Sequence, residues 1–515
     1  MKISILDCTL RDGGYVNDFH FGVNRIEKIK EKLCDANIEI IECGFLQSGK
    51  NDPNYSLYGG VEQILLPKER NGRMFVAMIA YGEMTAEEVV PRQSDYIDGI
   101  RLTFHIEEWE DTKCLAQNLM EKGYNVYIQP VGTLYYTDEE LLKLIKNVND
   151  LKPYAFYLVD TLGSMYKNDM LRMFYLVDHN LAEGICIGFH SHNNMQLSFA
   201  NSMTLLELHT KRNIIIDASV FGMGRGAGNL NTELITHFIN NNVDNRYYLF
   251  PLLELIDDII LPISKYSAWG FSEPYYLSAI MGVHPNYASY LIEKQSIGMT
   301  QISEILNKLP KGNTHLYEKG NIEKLYHAEM SNTIDDSSSI AELSAKVHGK
   351  RVLVIAPGRS IETNSMQIKE YIKTMRPFII SLNFVPDDIV PDIVFVSNRK
   401  RFAQLEQSIY PFVITSNIRT YGTKNVFMVN YDSLVADNMD YSGIMVLKFL
   451  LRLGVKHILL AGYDGFTGGL DHFNDSLDSS LSEETVAALN KTMRDQIIEI
   501  SKVVSLEFIT PSLYS

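Results

Sequence analysis

Near its start the chain reads Ile3-Ser4-Ile5-Leu6-Asp7-Cys8-Thr9-Leu10-Arg11-Asp12-Gly13-Gly14. The run Ile3–Leu6 reads as a buried strand, and charge followed by paired glycines breaks it. Arg11 and Asp12 are thereby set at a strand's carboxyl end, where parallel α/β folds keep their chemistry. There Asp12 is suited to hold a metal and Arg11 to face a developing negative charge. Taken alone, the same pair also suits a strand-to-helix turn whose glycines take φ > 0.

A second fragment, Gly188-Phe189-His190-Ser191-His192-Asn193-Asn194, ends another apolar run, Ile185–Gly188. Side chains alternate along an extended segment, so His190 and His192 share a face and can hold one cation through neutral imidazole nitrogens. Two histidines and a carboxylate at the ends of inner strands read as a metal site. Mixed N and O ligands suit Mn²⁺, Co²⁺, Fe²⁺ or Zn²⁺, and Mg²⁺ less well.

Between these fragments and beyond them, short β-rich runs alternate with amphipathic ones up to about residue 240. The strand candidates are Ile3–Leu6, Ile38–Cys43, Met74–Ile79, Ile97–Thr103, Asn125–Ile128, Ala155–Val159, Ile185–Gly188 and Ile214–Ser219. Helical patterns include Val23–Ala36, Glu108–Lys122, Asp138–Asn149 and Met195–Thr210. Eight strands with helices between them describe an α/β fold of (β/α)8 TIM-barrel type over residues 1–244, in preference to an open doubly wound sheet. Closure brings the first and seventh strands within one strand of each other, so Asp12, His190 and His192 converge. Glu42, Arg101, His105, Gln129, Asp160, Thr161 and Ser219 also fall at strand ends, and Gln129 and Asp160 are singled out for the substrate. The glycine-rich turn Gly222–Asn229 after strand eight offers backbone N–H groups to an anion or a metal-bound oxygen.

Residues 245–330 read as a helical appendage, with periodicity through Leu249–Ile263, Tyr275–Met281, Tyr287–Glu293 and Ile302–Leu309. The short polar stretch Asn332–Ser339 marks a linker spanning residues 331–348. A second α/β unit fills residues 349–515, with strands Val352–Ala356, Phe378–Asn383, Ile393–Ser397, Phe412–Thr415, Val426–Asn430 and His457–Leu460. Helices there fit Ser365–Thr374, Ser442–Leu453 and Ser482–Val503. Its first turn, Gly358–Ser360, is a place for a phosphate, but the G-x-G-x-x-G fingerprint of dinucleotide binding is missing.

Composition narrows the classes. The 515 residues are 46% hydrophobic and 21% charged, as in ordinary globular proteins, and make room for about three domains. A formal net charge of −16 disfavours nucleic acid or an anionic membrane as partner. No apolar run approaches the roughly 18 residues of a membrane span, and strand one leaves no room for a signal peptide, so a cytoplasmic protein is expected. The five cysteines, Cys8, Cys34, Cys43, Cys114 and Cys186, form no Cys-x-x-Cys pair and read as reduced thiols.

Leu6–Gly14, His190-Ser191-His192-Asn193 and the Gly224–Asn229 turn together resemble the metal-dependent aldolases and lyases of the 3-hydroxy-3-methylglutaryl-CoA lyase and 4-hydroxy-2-oxovalerate aldolase group, over roughly residues 1–310. The resemblance implies a divalent metal on Asp12, His190 and His192, and an enolate stabilised by Arg11. Acyl-CoA lyases of the group carry a catalytic Cys in the loop before the glycine turn. Asp217–Gly222 has none, which favours the 2-oxo-acid aldolase branch. The aldolases place a basic His three residues after the metal Asp, where this chain has Tyr15; Tyr15, His20 or a metal-bound water is left as the base.

The second unit more faintly resembles the Rossmann-like fold of bacterial sialyltransferases and pterin-pyrophosphokinase-like proteins, through Ala356–Ser360, Ser381-Leu382-Asn383 and Leu460–Phe466. That implies a nucleotide or nucleotide sugar near Gly358, Ser360, Asn383 and Asp464. The expected protein is a Mn²⁺-type aldolase, with Co²⁺, Mg²⁺ or Zn²⁺ as alternatives. It joins or splits a 2-oxo acid and an aldehyde, a sugar aldehyde of surface-polysaccharide synthesis included. Asn229, Gln129 and Asp160 are its substrate residues, and a homo-oligomer is expected. The rival readings are a non-haem Fe(II) oxygenase, which uses the same ligand types, and a nucleotide- or sugar-binding regulator with an inactive barrel.

Overall fold

In the computed structural model, residues 2–294, 297–310, 314, 316–420, 425–435, 440–467 and 483–515 are described. The chain divides into two compact units, Met1–Ser289 with Pro310–Tyr317, and Tyr290–Leu309 with Glu318–Ser515. This division differs from the expected boundaries, because part of the helical appendage belongs to each unit.

The first unit is a closed barrel of eight parallel strands: β1 Ile3–Asp7, β2 Ile40–Leu46, β3 Met74–Ala80, β4 Gly99–Phe104, β5 Asn125–Pro130, β6 Ala155–Asp160, β7 Cys186–Ser191 and β8 Ile214–Ala218. Closure is direct, since β1 pairs with both β2 and β8. A two-residue strand, Leu57–Tyr58, adds to the outer end of β2. Between strands run α1 Val23–Asp35, α2 Trp109–Glu121, α3 Asp138–Leu151, α4 Lys167–Asn180 and α5 Ser198–Leu206, and α6 Thr232–Asn242 follows β8. The connections after β2 and β3 carry no α-helix among the described residues. The helix expected over Met195–Thr210 is shorter than its pattern, because Asn193 and Gln196 build a turn first, with Gln196 at φ +58°.

Alternation along the strands decides what lies inside. Ile100 and Leu102 join the apolar layer between barrel and helices, and so Arg101 points to the interior with Gly99 and Thr103. Below the site the interior is filled by Leu6, Ile40, Val76, Tyr127, Tyr157 and Ile215. Gly188 makes room for this plug, because a Cβ there would stand 2.3 Å from the Tyr157 ring. Local signals agree with the fold, as at α3, where the Thr137 hydroxyl accepts from the Glu140 amide (3.2 Å) and the Glu140 carboxylate accepts from the Thr137 amide (2.8 Å).

The second unit holds a seven-stranded parallel sheet: β9 Val352–Ile355, β10 Phe378–Leu382, β11 Ile393–Val396, β12 Phe412–Thr415, β13 Val426–Val429, β14 His457–Ala461 and β15 Ser505–Phe508. Its order is β13-β12-β11-β10-β9-β14-β15, so the winding reverses between β9 and β14. Strand β15 was not expected, because Ser505-Leu506-Glu507-Phe508 alternates polar and apolar residues at a sheet edge and carries little hydrophobic signal. The expected linker is corrected: Ser337–Val347 is helical, and buried Asp336 accepts from Arg452 (2.7 and 2.8 Å) and from the Asn430 amide (2.8 Å). Helix Ser442–Arg452 runs through the expected segment, and Glu483–Ser501 covers all but the last two described residues of the final one. No helix among the described residues is long and apolar enough to cross a membrane.

Candidate metal centre

The loop after β1 is fixed by its own polar residues. Asp7 accepts from the Thr9 amide (2.9 Å) and the Thr232 hydroxyl (2.6 Å), while Thr9 accepts from the Val220 amide (2.8 Å). The Cys8 carbonyl accepts from the amides of Arg11 (3.0 Å) and Asp12 (2.8 Å), which turns both side chains over the barrel mouth. Burial lifts the Asp7 carboxyl to about 6, with the threonine hydrogen bonds pulling the other way.

Asp12, His190 and His192 come together there, each offering a ligand atom within 4.8 Å of the others, and all three are buried. His190 Nε2 lies 3.3 Å and His192 Nε2 3.9 Å from Asp12 Oδ2, and the two rings are perpendicular at 5.1 Å. Burial alone would raise the Asp12 carboxyl, but Arg11 and the two histidines outweigh it and hold it well below the usual range. His192 is pushed down to about 3 by burial, helped by its cationic neighbours and opposed by Asp12. Burial also lowers His190, yet hydrogen bonds to Asp12 and Asp217 win and raise it.

A divalent cation fits these residues. Asp12 is ionised, His192 is neutral, and Asp12 Oδ1 is buried with no hydrogen-bond partner. Asn229 Oδ1 is likewise buried and unpartnered, while its Nδ2 donates to the Met223 carbonyl (3.2 Å). The two residues meet at Gly224, where a Cβ would stand 2.3 Å from Asn229 Nδ2 and 3.2 Å from Asp12 Oδ1. Asn229, expected at the substrate, thus stands close to Asp12, with its amide oxygen buried and unpartnered. The glycine-rich turn itself does not open a helix: α6 starts later, at Thr232, and Asn194 Oδ1 accepts from the Ala227 amide (2.9 Å).

Around the triad lies a cavity of about 230 Å³, lined among others by Arg11, Tyr15, Thr103, His105, Gln129, Thr161, Arg225, His284 and Tyr317. Arg11 donates through Nε to Glu42 (2.9 Å) and through Nη1 to Asp12 (2.5 Å), leaving Nη2 buried with no partner. Gln129 Oε1 is also buried and unpartnered. Tyr15 is partly exposed, with the Arg225 guanidinium 5.3 Å from its ring centroid; burial raises its phenol while Arg225 opposes.

Two expected residues stand elsewhere. His20 is exposed and packs on Tyr55 with ring centroids at 4.8 Å, outside the cavity wall. Asp160 is buried and raised to about 6 by burial, but its oxygens accept from the amides of Ser164 (2.9 Å) and Met165 (3.0 Å), so it closes a turn. In the second unit, the Ser360 amide donates to Asp464 Oδ2 (2.7 Å) and its hydroxyl donates to Oδ1. A carboxylate thus fills the place expected for a phosphate. Gly358 is close by, its missing Cβ 2.3 Å from the Gly462 carbonyl and 2.7 Å from the Asp464 carboxylate. Asn383, at φ +63°, donates to Ser442 Oγ (2.8 Å).

The sequence places Glu42 and Arg101 at strand ends without giving them a role, and Asp217 is not singled out. Asp217 accepts from Arg101 and lies 3.0 Å from His190 Nδ1; Arg101 also donates to Glu42 (2.7 Å). The signal was present, since Ile100-Arg101-Leu102 and Ile216-Asp217-Ala218 each set a charge inside an apolar strand, and a buried charge needs a partner.

Residues 113–257 match the sequence profile of the HMGL-like family. The chain is 27% identical over 238 residues to the oxaloacetate decarboxylase of Mycobacterium tuberculosis, covering 45% of this chain and 68% of that protein. It is 24% identical over 272 residues to the 4-hydroxy-2-oxovalerate aldolase of Pseudoalteromonas translucida, covering 51% and 77%. Among solved structures it is similar to the HMG-CoA lyase of Brucella melitensis, at 18% identity and a TM-score of 0.40, over 49% of this chain and 95% of that one. The barrel is thus similar, over part of its length, to HMGL-like proteins, with an aldolase and a decarboxylase among the proteins it resembles.

Proposed function

We propose that the barrel is a divalent-metal aldolase that makes or breaks a C–C bond through the enolate of a 2-oxo acid, pyruvate being the simplest donor. The carrying observation is the buried, unpartnered Nη2 of Arg11 on the cavity wall beside the Asp12–His190–His192 cluster. A donor held there by Glu42 and Asp12 is pre-aimed at an oxygen that gains charge in the reaction. The relatives' names fit the same intermediate, because losing CO2 from oxaloacetate and losing an aldehyde from 4-hydroxy-2-oxovalerate both leave pyruvate enolate.

Asp12, His190 and His192 would hold the cation, with Asn229 Oδ1 at hand, and the cation would supply Lewis acidity toward the oxo acid. Arg225 adds positive charge to the wall for a carboxylate. Gln129 offers its free carbonyl oxygen to a substrate hydroxyl. Tyr15, its phenol raised, is a proton donor at neutral pH, so the accepting role passes to the wall imidazole of His105, since His284 Nδ1 already accepts from the Asn286 amide (3.1 Å). His20, outside the wall, is dropped from the catalytic set.

The test is pyruvate release from oxaloacetate and from 4-hydroxy-2-oxo acids under anaerobic conditions, with Mn²⁺ supplied. Metal-dependent release without O2 is expected. An absolute requirement for O2 would overturn the reading in favour of an Fe(II) oxygenase.

The reversal of winding between β9 and β14 favours a second ligand site, since open α/β sheets bind ligands in that crevice. With Asp464 there, a sugar or ribose hydroxyl is a better partner for the Gly358–Ser360 turn than a phosphate, which agrees with a nucleotide sugar. Calorimetric titration with nucleoside diphosphates and nucleotide sugars tests this, and an absence of binding across the panel would remove it.

A further inference from the structure

Six buried side chains close into a ring at the barrel mouth. Arg11 meets Glu42 (2.9 Å), Glu42 meets Arg101 (2.7 Å), and Arg101 meets Asp217. Asp217 meets His190 (3.0 Å), His190 meets Asp12 (3.3 Å), and Asp12 returns to Arg11 (2.5 Å). Arg101 is the unexpected member. It is wholly buried, it does not line the cavity, and its Cζ sits 4.8 Å from the centroid of the Tyr157 ring, at the top of the apolar plug. Barrel interiors are ordinarily packed with branched apolar residues, and a guanidinium is costly to bury there.

Its two carboxylate partners have different tasks. Glu42 holds Arg11 and so decides where the unpartnered Nη2 points. Asp217 holds the Nδ1 edge of His190 and so turns Nε2 toward Asp12. A planar guanidinium can fix two carboxylates at a set angle through separate nitrogens, Nη1 and Nη2 here, which a single ammonium cannot do.

Resting on the aldol reading above, we propose that Arg101 is a positioning residue that sets the two working halves of the site at once: the enolate-facing Arg11 through Glu42, and the metal-facing His190 through Asp217. The two arms are separable by experiment. Mn²⁺ affinity, measured without substrate from the free-ion EPR signal, reads the Asp217 arm. Deuterium exchange into pyruvate at saturating Mn²⁺ reads the Glu42 arm.

Asp217→Asn should weaken Mn²⁺ binding by about 10–100-fold. Glu42→Gln should leave that affinity within about threefold and slow exchange by up to about 100-fold, the scale of a small misplacement of a working group. Arg101→Met should do both, and Arg101→Lys should recover one arm at most. The decisive result is in the combinations. Adding Arg101→Met to Asp217→Asn should cost no further Mn²⁺ affinity, and adding it to Glu42→Gln should cost no further exchange.

A merely structural Arg101 would instead give losses that add in both double variants, and that overturns the proposal. If Arg101→Met alone fails to fold with two unpaired carboxylates inside, the triple variant with Glu42→Gln and Asp217→Asn carries no such charges; its Mn²⁺ affinity should equal that of Asp217→Asn, and a further loss overturns the proposal. If the wild type shows no pyruvate exchange, the aldol reading fails, and the Mn²⁺ arm still decides the role of Arg101.

Discussion

Arg11 has spent two of its nitrogens on Glu42 and Asp12 and keeps one donor for a substrate oxygen. Removing a preorganised donor of this kind costs about 3–4 kcal/mol in the transition state, so Arg11→Ala should lower turnover by roughly two to three orders of magnitude. Mn²⁺ affinity of that variant should stay within about tenfold, since Arg11 is no ligand; comparable loss of metal would contradict the role. The two histidines predict a pH dependence. His190 is raised and His192 is pushed down to about 3, so near neutral pH only His190 has a proton to lose when metal binds. Metal and proton compete, so Mn²⁺ affinity should rise about tenfold per pH unit below the His190 value and level off above it. A slope of two protons would show that His192 titrates as well. At this scale the sequence disclosed what sits at strand ends, Asp12 and the histidine pair. It disclosed much less of Arg101 and Asp217, because partners 116 residues apart in the chain become visible only when the barrel closes.

Strand alternation explains why the ring of charges can exist inside a barrel at all. Gly99, Arg101 and Thr103 share the inner face of β4, and Gly188 beneath His190 admits the Tyr157 ring that floors the site. Gly188→Ala should overpack that floor and destabilise by about 1–3 kcal/mol, read as a lower Tm, whereas an unchanged Tm would mean that the ring moves freely. The strand positions were largely legible, since buried parallel strands are short apolar runs and Val23–Asp35 or Asp138–Leu151 show helical periodicity and, in the latter, a capping box. The shortened α5 and the edge strand β15 were not legible: the first is decided by a local Asn193–Gln196 turn, and the second by pairing with β14.

For the whole molecule, the assembly of the site from β1, β2, β4, β7 and β8 would make a bound metal a cross-brace of the barrel. A ligand that binds only the folded state adds about 2.7 kcal/mol at one hundred times its Kd. Saturating Mn²⁺ should therefore raise the Tm of the wild type and leave that of Asp12→Ala unmoved; an equal rise in both would place the ion elsewhere. The barrel was foreseeable from the count and spacing of its strands. The division of the appendage between units was not, because amphipathic helices do not name the surface they will cover.

Enolate chemistry at Arg11 and the Asp12–His190–His192 cluster is read by proton exchange at the methyl group of pyruvate in D2O, without knowledge of the aldehyde. NMR should show exchange that requires added Mn²⁺, disappears in Asp12→Ala and is slowed by about two to three orders of magnitude in Arg11→Ala. Absence of exchange in wild-type protein with Mn²⁺ demonstrably bound, or exchange that survives Asp12→Ala, would contradict it.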